Sequence, residues 1–398
     1  MTNIVPLLIA LFVIASLLRM DKFFYLLYLL AAVYALGQLW TKRAMRQLRT
    51  ERRLVNRAFP GETIQVTLRV RNQGWLPVPW VEMHDSLPVE MASPPFYRRV
   101  LSLAPHAEHC FQYTLTCDRR GYYPIGPMIW RTGDLLGMTP VLVGQQQPET
   151  IIVYPRVLPL SRLGLPTHSP LALLPAPMPL FEDPSRVIGV RRYERGDSPR
   201  RIHWRATART GELLVKRYQP AIARDTVICL DLYRDDYAMQ RTYVASELAI
   251  VTAASLAHHI IVQERLGAGL FTQAYDPLQD DVVAFSLPPR HERGQLMEIL
   301  EVLARAQLYD AAQAGDTPSF DEYVRRASVS FPWGSTILLV TGRDVPALYD
   351  TLVFLRRRGF PVVLLLVMPP PETKHASAAQ EIGVRIFRIW REEDAEAL

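Results

Sequence analysis

The chain has 398 residues, 49% of them apolar and 21% charged, with a mean hydropathy near zero at +0.03. That balance excludes a wholly disordered chain, which needs low hydrophobicity and high net charge, and a polytopic transporter, whose hydropathy is strongly positive. The net charge of +6 is concentrated in two stretches. Lys42, Arg43, Arg46, Arg49, Arg52, Arg53 and Arg57 face only Glu51, and ten basic residues between Arg186 and Arg217 face Glu194, Asp197 and Glu212. The remainder is net acidic, so the basic face that nucleic-acid binding wants is not expected, and no nucleic-acid partner is expected.

Residues 1–41 are expected to form a transmembrane helical hairpin. Thr2 to Leu18 and Phe23 to Trp40 carry no charge, and Arg19-Met20-Asp21-Lys22 lies between them. Each run makes a helix of about 25 Å, slightly short of the ~30 Å hydrocarbon core of a bilayer. Tyr25, Tyr28, Tyr34 and Trp40 supply the amphipathic rings that favour membrane interfaces. A signal peptide wants a basic start and a cleavage site, whereas Met1-Thr2-Asn3 is uncharged and a second apolar run follows at once. Residues 42–57 form a basic juxtamembrane segment that outnumbers Arg19 and Lys22. The positive-inside rule then puts everything after residue 41 in the cytoplasm, with 42–57 against anionic membrane lipids. The localisation expected is the cell membrane.

From 58 to 150 short alternating runs replace the apolar ones. Thr63 to Val70 alternates with period two, the mark of a half-buried strand. Val78 to Met83, Arg99 to Leu103, Cys110 to Cys117, Pro127 to Trp130 and Pro140 to Val143 read likewise. Gly, Pro, Asn and Asp punctuate them at roughly ten-residue spacing, which reads as an all-β, immunoglobulin-like antiparallel sandwich. Cys110, Cys117 and Cys229 make neither a disulfide framework nor a metal-spaced pair, and are expected as small buried hydrophobes. Residues 151–185 hold eight prolines between Pro155 and Pro184. Each removes a donor and fixes φ, so an extended linker is expected.

Residues 186–220 read as strand, turn, short helix and strand. Asp197 or Ser198 is expected to cap the helix, with Pro199 near its first turn. Gly211 suits the left-handed position after it. Trp204 and Ala208 share one face, expected to be buried, while Arg201, Arg205 and Arg209 share another. Residues 221–392 then alternate apolar strands (Thr226 to Asp231, Leu266 to Ala274, Thr336 to Thr341, Pro361 to Met368, Val384 to Ile389) with helices. Strands apolar throughout and separated by helices mean a mostly parallel sheet covered on both faces.

The segment Val190 to Lys216 resembles the signature of the DUF58 family of bacterial membrane-associated proteins. Arg192, Tyr193, Gly196, Asp197, Arg200, Ile202, Trp204, Ala208, Arg209, Leu213, Val215 and Lys216 carry the resemblance, and Arg120-Gly121-Tyr122-Tyr123 and Asp134-Leu135-Leu136-Gly137 extend it. The resemblance implies a von Willebrand factor A-like α/β domain after the signature. It also implies a non-catalytic adaptor that works beside a MoxR-type AAA+ ATPase. The signature residues expected to bind such a partner are Arg192, Tyr193, Gly196, Asp197, Arg200, Arg201, Trp204, Arg205 and Arg209, because arginine pairs bidentately with carboxylates and phosphates.

The same resemblance implies a Mg²⁺ turn, Asp-x-Ser-x-Ser, after the first strand of that domain. Here the turn reads Asp231-Leu232-Tyr233-Arg234-Asp235 and the later position Val340-Thr341-Gly342-Arg343-Asp344. Asp231 and Asp235 are weak metal candidates without the serine oxygens a hard cation needs, and no metal or cofactor is expected. Phosphate-loop, Gly-x-Gly-x-x-Gly and His-Glu-x-x-His motifs are missing from the sequence, so the chain is not itself the ATPase. The alternative is a membrane-bound enzyme with a site near Gly196-Asp197. Asp197 with His203 falls short of a catalytic constellation, no catalytic residue is assigned, and His258-His259 is expected to be structural.

Overall fold

The computed structural model describes residues 4–18, 21–133, 142–160, 182–193, 202–220, 225–237, 241–370 and 374–396. The chain divides into two compact units, Met1–Arg156 and Val157–Leu398. The motif at Asp134 to Gly137 and most of the proline-rich linker lie outside the described residues.

The first unit opens with α1 (Ile4–Leu18) and α2 (Asp21–Gln47). Phe12, Leu17, Tyr25, Leu29 and Leu36 are exposed on them, and α2 is long and apolar enough to cross a membrane. Among the described residues ten strands follow: β1 (Leu48–Arg53), β2 (Arg57–Ala58), β3 (Glu62–Asn72), β4 (Val78–Ser86), β5 (Phe96–Leu103), β6 (Glu108–Cys117), β7 (Gly121–Ile125), β8 (Met128–Thr132), β9 (Leu142–Gln146) and β10 (Glu149–Val153). They form three small sheets, ordered β1-β3-β6, β2-β10-β7 and β5-β4-β8-β9. The period-two pattern of β3 buries Ile64, Val66, Leu68 and Val70. These join Val81, Met83, Leu115, Ile125, Met128 and Ile151 in one core.

The basic stretch 42–57 is not a separate segment. Helix α2 runs on through it to Gln47, and β1 pairs antiparallel with β3 from Leu48↔Asn72 to Arg53↔Thr67. Arg52, expected to face lipid headgroups, is instead fully buried. It donates to both oxygens of Asp85 and to the carbonyl of Ile125 at 3.0 Å, while the Tyr113 hydroxyl donates to Asp85 at 2.7 Å. A half-buried strand alternates whatever its composition, and Arg52 falls on its inward side beside a carboxylate. Cys117 and Cys229 are buried as expected, but Cys110 is exposed because it lies on the outward side of β6.

The second unit begins with β11 (Glu182–Arg192), α3 (Trp204–Thr210) and β12 (Leu214–Pro220). Pro184 of the expected linker lies inside a strand, at a bulge: the β11–β12 register shifts between Asp183 and Val187, where a missing N–H costs little. The α/β region holds β13 (Thr226–Leu230), α4 (Thr242–His258), β14 (Ala268–Asp276), β15 (Asp281–Arg290), α5 (Arg293–Arg305), α6 (Ala311–Ala314), α7 (Phe320–Ala327), β16 (Thr336–Thr341), α8 (Pro346–Arg357), β17 (Val362–Val367), α9 (Lys374–Glu381), β18 (Arg385–Ile389) and α10 (Glu392–Glu396).

Its sheet is ordered β15-β14-β13-β16-β17-β18. All neighbours pair in parallel except β15, which is antiparallel to β14. Strands β13, β16 and β17 are buried at every residue. Helices α4 and α5 pack on the sheet. Val227, Cys229, Leu339 and Leu364 form a core with Phe320, Val324, Leu348 and Leu352 of α7 and α8. The chain moves outward from β13 to β15, then returns to set β16 beside β13. Sheets wound both ways from such a point leave a crevice at the carboxyl ends of the two central strands.

Candidate functional site

The crevice between β13 and β16 is filled by a charged centre. Asp231 follows β13 and is buried. Its Oδ2 accepts from the Thr341 hydroxyl at 2.8 Å, and its Oδ1 accepts from the Tyr233 N–H at 3.1 Å. Thr341 ends β16. Two residues on, Arg343 sends its guanidinium back into the crevice, where only 14% of the side chain is exposed. Its Nη1 donates to Asp236 at 3.2 Å, its Nη2 donates to Asp321 of α7, and its Nε lies 3.9 Å from Asp231. A Cβ on Gly342 would stand 2.5 Å from the Tyr237 ring and 2.7 Å from the Asp236 carbonyl oxygen, so the turn that delivers Arg343 needs a glycine.

Three carboxylates surround one guanidinium, and the centre carries a negative surplus. Burial, reinforced by the charge of Asp231, pushes the Asp236 carboxyl up, with Arg343 opposing. Burial raises Asp321 as well, again against Arg343. Burial works against the charge of Arg343, but Asp231, Asp236 and Asp321 together hold its pKa above the usual arginine value. Among the described residues nothing donates to Asp236 Oδ2 or Asp321 Oδ1. Two neighbouring hydroxyls are engaged: that of Thr341 donates to Asp231, and that of Tyr237 donates to the carbonyl of Asp231, where burial pushes the phenol well up. No free nucleophile faces the centre among these groups.

Of the two weak metal candidates, only Asp231 is here. Asp235 is exposed and accepts from the Tyr233 hydroxyl at 3.3 Å. The 3₁₀ turn Arg234–Asp236 carries Asp235 outward and Asp236 inward. Arg234 turns to Asp310 at 3.5 Å, and Asp344 accepts from the His375 N–H at 3.2 Å. The Mg²⁺ implied by the resemblance therefore meets a donor set that does not fit it, since a guanidinium sits among the carboxylates. Among the described residues no group of three or more His, Cys, Asp or Glu side chains is arranged to hold a metal ion.

The signature segment is built differently. Strands β11 and β12 pair antiparallel through Arg191↔Val215 and Arg192↔Leu214. Arg192 forks onto Glu212, with Nε and Nη2 each 2.8 Å from a carboxylate oxygen. The Tyr193 N–H donates to Leu213, and Ile202 bridges to Val215, both of these side chains buried. His203 caps α3: its Nδ1 accepts from the Ala206 N–H at 3.1 Å. Gly211, at φ 73°, closes the other end by donating to the Thr207 carbonyl. The Thr207 hydroxyl accepts from the Leu214 N–H at 3.1 Å.

Two expectations are corrected here. The helix starts at Trp204, so its cap is His203 and not Asp197 or Ser198. Trp204 is not buried; 68% of it is exposed. A helix of two turns held by backbone and Thr207 contacts has no apolar face to offer, and α3 buries no side chain. Arg205, Ala208, Arg209 and Leu213 are exposed as well, and Tyr193 is partly so. Gly196, Asp197, Arg200 and Arg201 lie outside the described residues. His258 and His259 close α4, where His259 lies 3.5 Å from Glu264.

The sequence signal for the crevice was present but misread by one position. Asp236 and Arg343 follow the ends of two buried strands, where the crevice of such a sheet lies. Asp321 carried no local signal, because only the packing of α7 brings it there.

Residues 189–331 match the family model described as a protein of unknown function, DUF58, so the chain carries a DUF58 segment, as the signature suggested. The uncharacterized protein YeaD of Bacillus subtilis is 24% identical over 255 residues, 61% of this chain and 58% of that relative. The chain thus spans little more than half of that relative's length. A CARDB domain in complex with di-metal ions from Pyrococcus furiosus is 17% identical, with a TM-score of 0.19 over 27% of this chain and 91% of that one. A beta-glucosidase from Listeria innocua in complex with gluconolactone is 12% identical, with a TM-score of 0.18 over 27% and 16%. Likenesses this low carry no argument about fold or function.

Proposed function

We propose that the chain is a membrane-anchored interaction protein, an adaptor for a MoxR-type AAA+ ATPase, with no catalytic centre of its own. On this reading α1 and α2 form a transmembrane hairpin, and both units lie in the cytoplasm. The first unit is an immunoglobulin-like sandwich, and the second is von Willebrand factor A-like. The 3-2-1-4-5-6 order of its strands, with the third antiparallel, supports that last assignment.

The observation that carries the interaction role is Trp204. An exposed tryptophan beside Arg205, Arg209 and Leu213 combines the residue types that dominate protein–protein hot spots. Its backbone is fixed by capping and strand pairing, so it loses little entropy on binding. The crevice adds support: Arg343 fills the place where such a sheet takes a small ligand, and leaves the outer surface for recognition.

The test is co-purification. The full chain in detergent captures a hexameric ATPase from its own cells, and Trp204→Ala, folded equally well, does not. Turnover of a small substrate by the purified chain, lost in Asp197→Ala, supports the enzyme reading instead.

A further inference from the structure

Helix α2 does not end in a flexible tether. Its last two turns are part of the first unit's core: Thr41 and Ala44 are buried, as is Leu48 just after the helix, and Trp40 and Met45 pack against that core. The indole N–H of Trp40 donates to the Pro77 carbonyl at 2.9 Å. The Gln47 carbonyl accepts from the Gln73 N–H at 2.9 Å. Both partners lie in the loop between β3 and β4, so this loop runs along the last turns of α2. From Trp40 to Gln47 is about 10 Å of helix. The backbone at Gly74 comes so close that a Cβ there would stand 1.7 Å from the Gln47 side chain.

The loop is rigid. Asn72, fully buried, donates to the Leu76 carbonyl at 2.8 Å and to the Ala104 carbonyl at 3.1 Å, and its Oδ1 accepts from the Gly74 N–H at 2.9 Å. The His106 N–H donates to the Gly74 carbonyl at 3.1 Å. Leu76 is buried beneath it. Trp75, between them, is 65% exposed. A loop with an ordered polar frame thus holds a tryptophan out in solvent, beside a helix whose charge-free run ends at Thr41. Lys42, Arg43 and Arg46 of that helix are exposed at the same level.

We propose that Trp75 is an interfacial anchor: the β3–β4 loop seats it among the headgroups of an anionic lipid surface, alongside Lys42, Arg43 and Arg46. This rests on the membrane reading of α2. The continuity of loop and helix fixes the depth. Trp40 ends the apolar run of α2 and marks the membrane–water boundary, and Pro77, bonded to its ring, lies at that boundary too. Indole favours this zone because its body is apolar and its N–H wants water. The nearby cations add attraction for anionic headgroups within a Debye length. The consequence is a first unit held in one orientation on the membrane, by α2 and by Trp75.

Depth-dependent quenching tests this. The full chain, Trp75→Phe and Trp40→Phe are reconstituted into phosphatidylcholine–phosphatidylglycerol vesicles. Their lipids carry bromine either near the headgroup end or near the methyl end of the acyl chain. Subtracting each variant from the parent isolates one indole. The anchor predicts that most Trp75 emission is lost with headgroup-end bromine and little with methyl-end bromine. If Trp75 emission is unchanged in both while Trp40 is quenched, α2 is in the membrane and the anchor is wrong. If neither indole is quenched, the membrane reading fails as well. Stronger quenching of Trp75 by methyl-end bromine overturns the interfacial position.

Discussion

The arginines of the second unit occupy two opposite environments. Arg343 is drawn inward, between Asp231, Asp236 and Asp321, at the crevice of a doubly wound sheet. Arg205 and Arg209 stand outward on a two-turn helix with an exposed tryptophan. The interior arginine satisfies the protein's own carboxylates and the exterior ones leave charge available to a partner. On the proposed reading, a sheet whose crevice is closed by its own side chain leaves recognition to its surface.

The largest effect expected is from Arg343→Ala. Removing one partner of a buried ion group leaves its carboxylates uncompensated, which costs about 3–5 kcal/mol. Denaturant unfolding of the full chain measures it. Above about pH 8, where the folded protein ionises Asp236, adding Asp236→Asn to that variant recovers part of the loss, because one stranded carboxylate is removed. If the double variant is no more stable than the single one, the two side chains are not coupled.

Arg52→Ala in the first unit sharpens the contrast. Arg52 faces Asp85 closely, with Glu149 at 3.7 Å and exposed, so fewer buried carboxylates are stranded. A loss within the same range but smaller than that of Arg343→Ala is expected. A larger loss removes the argument that surplus carboxylate dictates the cost.

The pH response follows from Asp236, whose carboxyl is pushed up to about 8 by burial and the charge of Asp231. Unfolded, it releases its proton near the ordinary value of ~3.9. Between those values the folded state binds more protons than the unfolded one, so stability falls as pH rises and levels off above about 8. Thermal unfolding of the wild type between pH 5 and 8, compared with Asp236→Asn, reads this: the variant has the flatter dependence. An equal slope in both assigns the effect to another group.

The smallest stability effect belongs to the outer arginines. Arg205→Gln with Arg209→Gln changes stability by only about ±0.5 kcal/mol. It weakens partner binding, most at low salt where charge attraction is least screened. Binding that weakens equally at all salt concentrations contradicts a charge-pairing role.

What the sequence made legible follows burial on two faces. Strands β13, β16 and β17 are apolar at nearly every position, and stood out. Strand β15 did not: it is an edge strand, largely exposed, ending in Pro288-Pro289-Arg290. Strand β1 was hidden by its arginines, since composition suggested lipid contact while alternation put Arg52 inside. Trp204 failed for a related reason. Helical spacing says which side chains share a face, but a seven-residue helix gives no guarantee that the face meets anything. Asp321 needed the tertiary packing of α7 and was beyond any reading of local spacing.

Trp204→Ala decides whether the signature segment is the docking face, with two numbers taken on the same purified full chain. The expected melting temperature is within about a degree of the wild type, because an exposed side chain leaves no cavity. The expected loss of affinity for the co-purified ATPase is roughly 30-fold or more, the cost of truncating a hot-spot tryptophan at about 2 kcal/mol or above. A variant that melts many degrees lower while binding undiminished would mean that Trp204 serves the fold and that the signature is not the docking face.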